Sequence, residues 1–226
     1  VLYGYFNYTK PKVESDRERQ RQKVEASDST RVERPLPIYQ PYQLNPELVD
    51  EAVVGTEDHR ILDFELVNQL GDTVTLADVE NDILVVDFFF TRCGTICPKM
   101  TRNLQWVQSQ LGSTDSVRIL SHSVTPEADS VSVLYEYAKG YGTDPEVWWF
   151  LTGPKKHIYE LSRKSYFACL DHGDGGAQDF VHTENVVLVD RLGRLRGFYD
   201  GTLREDMSQL VKDLERLGQE KAKKNP

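Results

Sequence analysis

The clearest pattern along the chain is an almost unbroken run of apolar residues from Ile83 to Phe90. The run is short and rich in Val and Phe, which predicts a strand buried on both faces of a sheet. After a short loop, the stretch from Pro98 to Leu111 has a helical pattern. A buried strand that leads into a helix is therefore the predicted centre of the fold.

Other segments alternate between strand and helix patterns. The predicted strands are Ile61 to Val67, Thr73 to Leu76, Val117 to Ser123, Trp148 to Leu151, Val186 to Val189 and Leu195 to Tyr199. The predicted helices are Asp129 to Gly140, Lys155 to Lys164 and a terminal stripe from Leu203 to Leu217. The first two strands form a hairpin across the turn at Gly71-Asp72. This order predicts an α/β domain, with a central mixed sheet flanked by helices and an N-terminal hairpin extension.

The first 47 residues lack this periodicity. Lys10 to Arg34 is dense in mixed charges, and prolines follow at positions 35, 37, 41 and 46. Such composition is typical of an extended or disordered linker or stalk. We therefore expect a linker over residues 1–47, a folded domain over 48–218 and a charged tail over 219–226.

The beginning of the chain is apolar and aromatic. Val1 to Phe6 resembles the interfacial end of a membrane span, although no run of about 18 apolar residues is present. We expect a single N-terminal anchor that is missing from this chain. The alternative is a frayed terminus of a soluble protein.

Composition narrows the possible functions. The chain has 226 residues, of which 39% are hydrophobic, and a net charge of −9. No basic face offsets that charge, so we expect no binding to nucleic acid. Three cysteines are too few for a disulfide framework in a chain of this length.

Two of the cysteines lie in one loop, Cys93-Gly94-Thr95-Ile96-Cys97-Pro98, between the buried strand and the helix. Backbone N–H groups at a helix start favour the thiolate form. A dithiol at the end of the first long buried strand is the arrangement of the thioredoxin-like fold. The C-x-x-x-C spacing is one residue longer than that of thiol-disulfide oxidoreductases, so we expect both sulfurs to face outward, as metal binding requires. A disulfide remains possible, as does the plain alternative of two small buried side chains.

A third ligand would complete a metal site. The candidates are His59, His122, His157, His172 and His182. His182 stands out because it lies just before a predicted strand whose start should lie beside the dithiol loop. Oxidoreductases of this fold usually place a cis-proline there, whereas this chain has no proline between Pro154 and Pro226. Two thiolates and one imidazole suit Cu(I), can hold Cu(II) and would accept Zn(II) with a fourth ligand. The alternative is a solvated loop histidine.

These residues resemble a known family. The run from Phe88 to Pro98, which reads FFFTRCGTICP, together with His182 downstream, resembles the SCO/SenC copper proteins. Val124 to Asp129 resembles the segment that follows the family's next strand, and Asp190 to Gly193 its later hairpin turn. The similarity covers roughly residues 48 to 218.

The resemblance implies a fold, a site and a role. It implies a thioredoxin-like protein anchored at the periplasmic face of the bacterial inner membrane, with copper bound by Cys93, Cys97 and His182. It implies a metallochaperone that takes copper from an upstream donor and helps build the dinuclear copper centre of cytochrome c oxidase subunit II. Members of the family act as copper carriers, as thiol reductants of that centre, or as both.

Two positions depart from the family pattern. Many members have Asp where this chain has Val181, and many have Asp where it has Thr125. A carboxylate that orients the imidazole must therefore come from elsewhere, with Asp179 and Glu184 as candidates. Asp129 matches the family segment, but the sequence gives it no chemical task.

The leading hypothesis is a non-enzymatic carrier that transfers copper by ligand exchange. The main alternative is a thiol-disulfide oxidoreductase in which Cys93 and Cys97 form the redox-active pair. A third reading, a peroxidase assisted by Arg92, is the weakest. Cys169 and the Trp148 to Phe150 stretch are expected to belong to the core.

Overall fold

The computed structural model describes residues 35–44, 59–112, 116–169, 173, 175–176 and 178–220. Its strands are β1 Glu65–Val67, β2 Thr73–Thr75, β3 Ile83–Phe89, β4 Val117–Ser123, β5 Trp148–Leu151, β6 Asn185–Val189 and β7 Leu195–Asp200. Its helices are α1 Pro41–Leu44, α2 Cys97–Gln110, α3 Val131–Tyr141, α4 Lys155–Glu160 and α5 Arg204–Gln219. A 3₁₀ turn spans Leu76–Val79, and a π turn spans Leu161–Ser165.

The main sheet has five strands in the order β5-β4-β3-β6-β7. Strands β3, β4 and β5 are parallel, and β6 and β7 add antiparallel pairs. Ile83 of β3 pairs with Val117 of β4, and Leu84 pairs with Val189 of β6. The predicted mixed sheet is confirmed, with the predicted buried strand at its centre.

Alternate side chains of β3 enter two separate cores. Val85 and Phe89 pack with α2, α3 and α5 on one face. Leu84 and Val86 pack on the other face with α4 and the β1–β2 hairpin. All seven residues of β3 are buried, which explains why its sequence is apolar almost throughout.

Two predicted elements are shorter than expected. Strand β1 begins at Glu65, because the N–H of Ile61 donates to the carbonyl of Gly193 and the N–H of Leu62 donates to the Ser165 hydroxyl. Neither group is left for pairing with β2. Helix α4 ends at Glu160 and continues as the π turn, in which the Tyr166 N–H donates to the Leu161 carbonyl over 2.8 Å.

Residues Leu36 to Tyr39, within the predicted linker, pack against the domain. The Tyr39 N–H donates to the Leu195 carbonyl over 2.9 Å. The buried Arg196 guanidinium donates to the Leu36 carbonyl, to Asp190 and to Glu220. The predicted stalk from Lys10 to Arg34, the apolar start of the chain and residues 221–226 lie outside the described residues.

No described helix combines the length and the apolar character that crossing a membrane requires.

Candidate metal centre

The dithiol loop connects the end of β3 to the start of α2. Cys97 is the first residue of α2, and Pro98 follows it at a helix position that needs no N–H donor. The Cys93 N–H donates to the Phe90 carbonyl over 3.2 Å, which closes the loop on itself. Cys93 and Cys97 are 8% and 3% exposed, so both are buried, whereas the spacing predicted that both sulfurs face outward. Both side chains belong to the core that α2 covers.

The Cys93 thiol is surrounded by hydrogen-bond donors. Burial by itself raises its pKa, but the Thr95 hydroxyl and the N–H groups of Cys97 and Thr95 outweigh burial and lower the pKa to about 7. The Thr95 hydroxyl lies 3.5 Å from the Cys93 sulfur. Near neutral pH, a substantial fraction of Cys93 is therefore thiolate, the form that binds metal and attacks disulfides.

The Cys97 thiol has the opposite tendency. Burial, helped by the neighbouring Cys93 and Asp87, raises its pKa to about 12, although a hydrogen bond with the Phe90 backbone opposes that shift. At neutral pH Cys97 is a thiol that must release a proton before it can bind a metal. The loop thus pairs a ready thiolate with a protonated partner.

A buried carboxylate, Asp129, holds the end of β3 in place. It accepts hydrogen bonds from the Thr91 hydroxyl at 2.6 Å, the Thr91 N–H at 3.2 Å and the Ser123 hydroxyl at 2.6 Å. Thr91 lies two residues before Cys93, so these bonds fix the entry into the dithiol loop. No task for Asp129 could be predicted from the amino-acid sequence, because its partners come together only in the folded chain.

Thr125 belongs to the same network. Its hydroxyl donates to Asp129 over 3.1 Å. An Asp at this position would place a second carboxylate beside Asp129 and could not donate when ionised.

Sequence reasoning also missed Asp87. Its side chain lies within β3 and is 1% exposed. Burial raises its pKa to about 7, although the Ser121 hydroxyl donates to it and opposes that shift. The signal that could have found it is the single carboxylate within the apolar run.

His182 lies on the segment that leads into β6. It is exposed between two buried residues, Val181 and Thr183. The Thr183 hydroxyl donates to the Ala168 carbonyl over 2.8 Å, which fastens the backbone beside the imidazole. The His182 ring lies nearly parallel to Phe180, with ring centres 6.4 Å apart.

Phe180 connects this segment to the dithiol loop. Its ring meets Phe90 edge-on, with ring centres 5.4 Å apart, and Phe90 is the first residue after β3. The imidazole therefore belongs to the same end of the sheet as the two thiols. All described peptide bonds are trans, so the cis-proline typical of oxidoreductases is absent from the described part of this segment.

The described residues contain no group of three His, Cys, Asp or Glu side chains arranged to hold a metal ion. The structure thus brings Cys93 and Cys97 together but does not gather His182 with them. Of the other histidines, His59 bonds to the Ser165 carbonyl, and His122 is fully buried against the rings of Phe88 and Tyr166. His172 lies outside the described residues.

Asp179 and Glu184, the two carboxylates considered for orienting the His182 imidazole, lie in different surroundings. Both oxygens of Asp179 accept hydrogen bonds from Arg163, each at 2.7 Å. Contrary to the expectation, Asp179 is therefore not available to orient the His182 ring. Glu184 is exposed, and its backbone carbonyl accepts from the Gly201 N–H. The two sulfurs are ligands that suit a soft metal such as Cu(I), and the imidazole of His182 lies at the same end of the sheet without joining them in one group.

Comparison with known proteins identifies relatives. The SCO1/SenC family profile matches residues 55–219. The SCO1 protein homolog of Bacillus subtilis is 31% identical over 159 residues, which cover 70% of this chain and 82% of that protein.

Solved structures agree with this match. BsSco, described as a member of the Sco family of cytochrome c oxidase assembly proteins with a disulfide switch, is 30% identical with a TM-score of 0.62, covering 74% of this chain and 98% of its own. A SCO1/SenC lipoprotein from Bacillus anthracis is 26% identical with a TM-score of 0.62, covering 74% and 98%. ScoI from Bradyrhizobium japonicum, solved with copper bound, has a TM-score of 0.56 at 24% identity, covering 70% and 99%. The predicted thioredoxin-like fold is confirmed, and the chain belongs to the SCO1/SenC family.

Proposed function

We propose that this protein carries copper to the dinuclear copper site of cytochrome c oxidase subunit II and releases it there by ligand exchange. Cys93, Cys97 and His182 hold the metal. The observation that carries this proposal is that Cys93 and Cys97 lie in one loop directly after β3, while Phe180 contacts both Phe90 beside that loop and the His182 ring. Membership of a family that includes an oxidase assembly protein and a copper-bound structure supports the choice of metal and acceptor.

Loading begins at Cys93, whose thiolate is available near neutral pH. Cys97 binds next and releases its proton, because a metal lowers the pKa of a coordinating thiol. His182 supplies the third ligand from an exposed position, and Phe180 keeps it at the loop end of the sheet. An exposed ligand is the first one that an acceptor's thiolate can displace, which favours transfer.

A second function, thiol-disulfide exchange, is favoured by the difference between the pKa of Cys93, about 7, and that of Cys97, about 12. The Cys93 thiolate would attack one sulfur of an acceptor disulfide and release the other sulfur as a thiolate. Cys97, on losing its proton, would attack the Cys93 sulfur of the mixed disulfide and free the second acceptor sulfur. Two electrons pass to the acceptor, and Cys93 and Cys97 end as a disulfide. BsSco, a relative with a disulfide switch, supports this candidate.

Copper titration of the reduced protein tests the first function. We expect one equivalent bound through two sulfurs and one nitrogen by X-ray absorption, weaker binding in His182→Ala and none in Cys93→Ala or Cys97→Ala. His59→Ala is the matched control, since His59 bonds to the Ser165 carbonyl instead. Copper binding by His182→Ala that equals wild-type binding would overturn the proposed ligand set.

Reduction of an oxidised subunit II fragment tests the second function. We expect His182→Ala to retain this activity if the dithiol acts alone, whereas either cysteine variant loses it. Copper transfer that fails in His182→Ala while disulfide reduction persists would assign the two activities to different ligands of one site.

The proposed location is the periplasmic face of the bacterial inner membrane, reached through an N-terminal anchor. The family relationship to a lipoprotein from Bacillus anthracis supports attachment to a membrane. Fractionation of cells that express the whole gene tests it. Extraction by detergent but not by salt is expected, and release by salt alone would contradict an anchor.

A further inference from the structure

The π turn after α4 directs an arginine into the protein. Arg163 lies within the turn Leu161–Ser165, and its side chain is 5% exposed, whereas that of the next residue, Lys164, is 62% exposed. The Arg163 guanidinium lies over the Tyr159 ring, 5.5 Å from its centre. A wider turn of this kind is uncommon, and such turns often occur at functional sites.

The Arg163 guanidinium forms a bidentate ion pair with the Asp179 carboxylate. The two N–H···O distances are 2.7 Å each, and the Asp179 side chain is 8% exposed. A bidentate pair of this type fixes the relative orientation of its two partners as well as their distance. The arginine lowers the pKa of Asp179, so the carboxylate stays ionised at neutral pH.

Further bonds fasten the backbone around Asp179. The Gly175 N–H donates to its carboxylate over 2.7 Å. The Lys155 ammonium donates to the backbone carbonyls of Asp179 and Gly176, over 2.9 Å each. Asp179 is therefore a fixed point attached to α4 and the π turn.

Asp179 lies three residues before His182, a span of at most about 10 Å. Between them, Phe180 rests against Phe90 and Val181 is buried. After His182, the Thr183 hydroxyl bonds to the Ala168 carbonyl. The exposed imidazole is thus held between two anchored points, and the first of them is the Arg163–Asp179 pair.

We propose that Arg163 and Asp179 are positioning residues for His182, which set where the imidazole meets copper on the dithiol. This inference rests on the proposed ligand set and extends it to two residues outside the site. It explains how the chain positions the imidazole with Val181 in place of a carboxylate beside it: the carboxylate acts through the backbone rather than on the ring.

The central variant is Arg163→Lys, which keeps the charge but loses the bidentate grip. Copper affinity is measured in a cycle with His182→Ala, by competition with a Cu(I) chelator. Hydrogen exchange of the peptide over residues 178–184 is measured in the metal-free protein. Glu160→Gln is the matched control, because Glu160 forms the neighbouring exposed ion pair with Lys164 at 3.3 Å.

We expect Arg163→Lys to weaken copper binding by about 10- to 100-fold and to speed exchange over 178–184. In the His182→Ala background, the same change should leave copper affinity within about twofold. Glu160→Gln should alter neither quantity.

Three results would overturn the inference. Unchanged exchange in Arg163→Lys would show that the pair does not hold the segment. Faster exchange with an equal loss of affinity in both backgrounds would show that the pair does not act through His182. A copper affinity of His182→Ala equal to that of the wild type would contradict the proposed ligand set, and the inference with it. Hydrogen exchange distinguishes this case from the first, because exchange over 178–184 would still be faster in Arg163→Lys.

A second variant guards against misfolding, since removing one member of a buried pair leaves an uncompensated charge. Arg163→Gln combined with Asp179→Asn removes both charges and retains polar groups at both positions. We expect this double variant to fold, as measured by circular dichroism. Like Arg163→Lys, it should weaken copper binding when His182 is present and leave it within about twofold in the His182→Ala background. A folded double variant with wild-type copper affinity and exchange would contradict the positioning role.

Discussion

The two thiols of one loop differ in proton affinity because their surroundings differ. Cys93 accepts hydrogen bonds from Thr95 and from the start of α2, which lower its pKa, whereas burial dominates at Cys97 and raises its pKa. We expect iodoacetamide to alkylate Cys93 in the reduced protein with a rate that rises through pH 7, while Cys97 remains unreactive until far higher pH. Peptide mass spectrometry over a pH series checks this. Equal reaction of both cysteines at pH 7 would contradict the asymmetry.

Asp129 is the residue on which the entry into the loop depends. Asp129→Asn keeps the shape but replaces one acceptor oxygen with an NH₂ group, which cannot accept from Thr91 or Ser123. We expect a loss of about 1–3 kcal/mol in the free energy of unfolding, measured in urea. Asp78→Asn is the control, because Asp78 bonds to Thr75 at the exposed start of a 3₁₀ turn. A loss in the control as large as that in Asp129→Asn would contradict a special role for Asp129.

Two buried groups make opposite contributions to pH-dependent stability. Burial lowers the pKa of His122 from 6.5 to about 4, so the unfolded chain binds more protons between these values. Its contribution is present above pH 6.5 and is lost as the pH falls toward 4. Burial raises the pKa of Asp87 from 3.8 to about 7, so its contribution is present below pH 3.8 and is lost as the pH rises toward 7.

Single variants should reveal these opposing slopes. We expect Asp87→Asn to lose on the order of 3 kcal/mol more stability than the wild type does when the pH falls from 6.5 to 4. His122→Leu should show the reverse, becoming relatively more stable as the pH falls. Urea unfolding at several pH values checks both, and parallel curves for the wild type and both variants would contradict the two assignments.

Among the secondary-structure elements, β6 and α2 meet at Gly201, in the turn between β7 and α5. A Cβ there would lie 2.8 Å from Val186 of β6, 3.1 Å from the Glu184 carbonyl and 3.1 Å from Met100 of α2. These elements carry or flank the proposed ligands. Gly201→Ala should therefore destabilise the protein by about 1–3 kcal/mol through overpacking.

Gly140 of α3 provides the matched control for Gly201. A Cβ at Gly140 meets nothing within 4 Å, so Gly140→Ala should stabilise the helix by up to about 1 kcal/mol. Thermal unfolding compares the two variants. Equal changes in thermal stability in Gly201→Ala and Gly140→Ala would show that the close contacts at Gly201 do not destabilise the protein.

Several elements could be predicted because their residues alone determine them. The Trp148 to Leu151 strand and the Val117 to Ser123 strand have the predicted bounds, since apolar runs of this length suit buried strands. The π turn could not be predicted, because residues Lys155 to Lys164 carry an ordinary helical pattern. Its Arg163 side chain bonds to Asp179, a partner that lies outside this stretch of sequence.

At the scale of the whole molecule, copper binding should be linked to pH through the two thiols. Below pH 7 both thiols are protonated, and between pH 7 and 12 only Cys97 is. Binding therefore releases two thiol protons below pH 7 and one above it. We expect the logarithm of copper affinity to rise with a slope near 2 below pH 7 and near 1 above it, in a His182→Ala background that isolates the thiols. A single slope throughout would contradict the two pKa values.

The central strand, the dithiol at its end and the candidate histidine could be predicted from the amino-acid sequence, because they depend on local pattern and spacing. The burial of Cys97, the hydrogen bonds of Asp129 to the entry of the loop, and the pairing of Asp179 with Arg163 rather than with His182 follow from the folded structure. Each of these depends on groups far apart along the chain that meet only when the sheet and its helices pack. A residue's chemistry is fixed by its type, but its pKa and its partners are fixed by its surroundings.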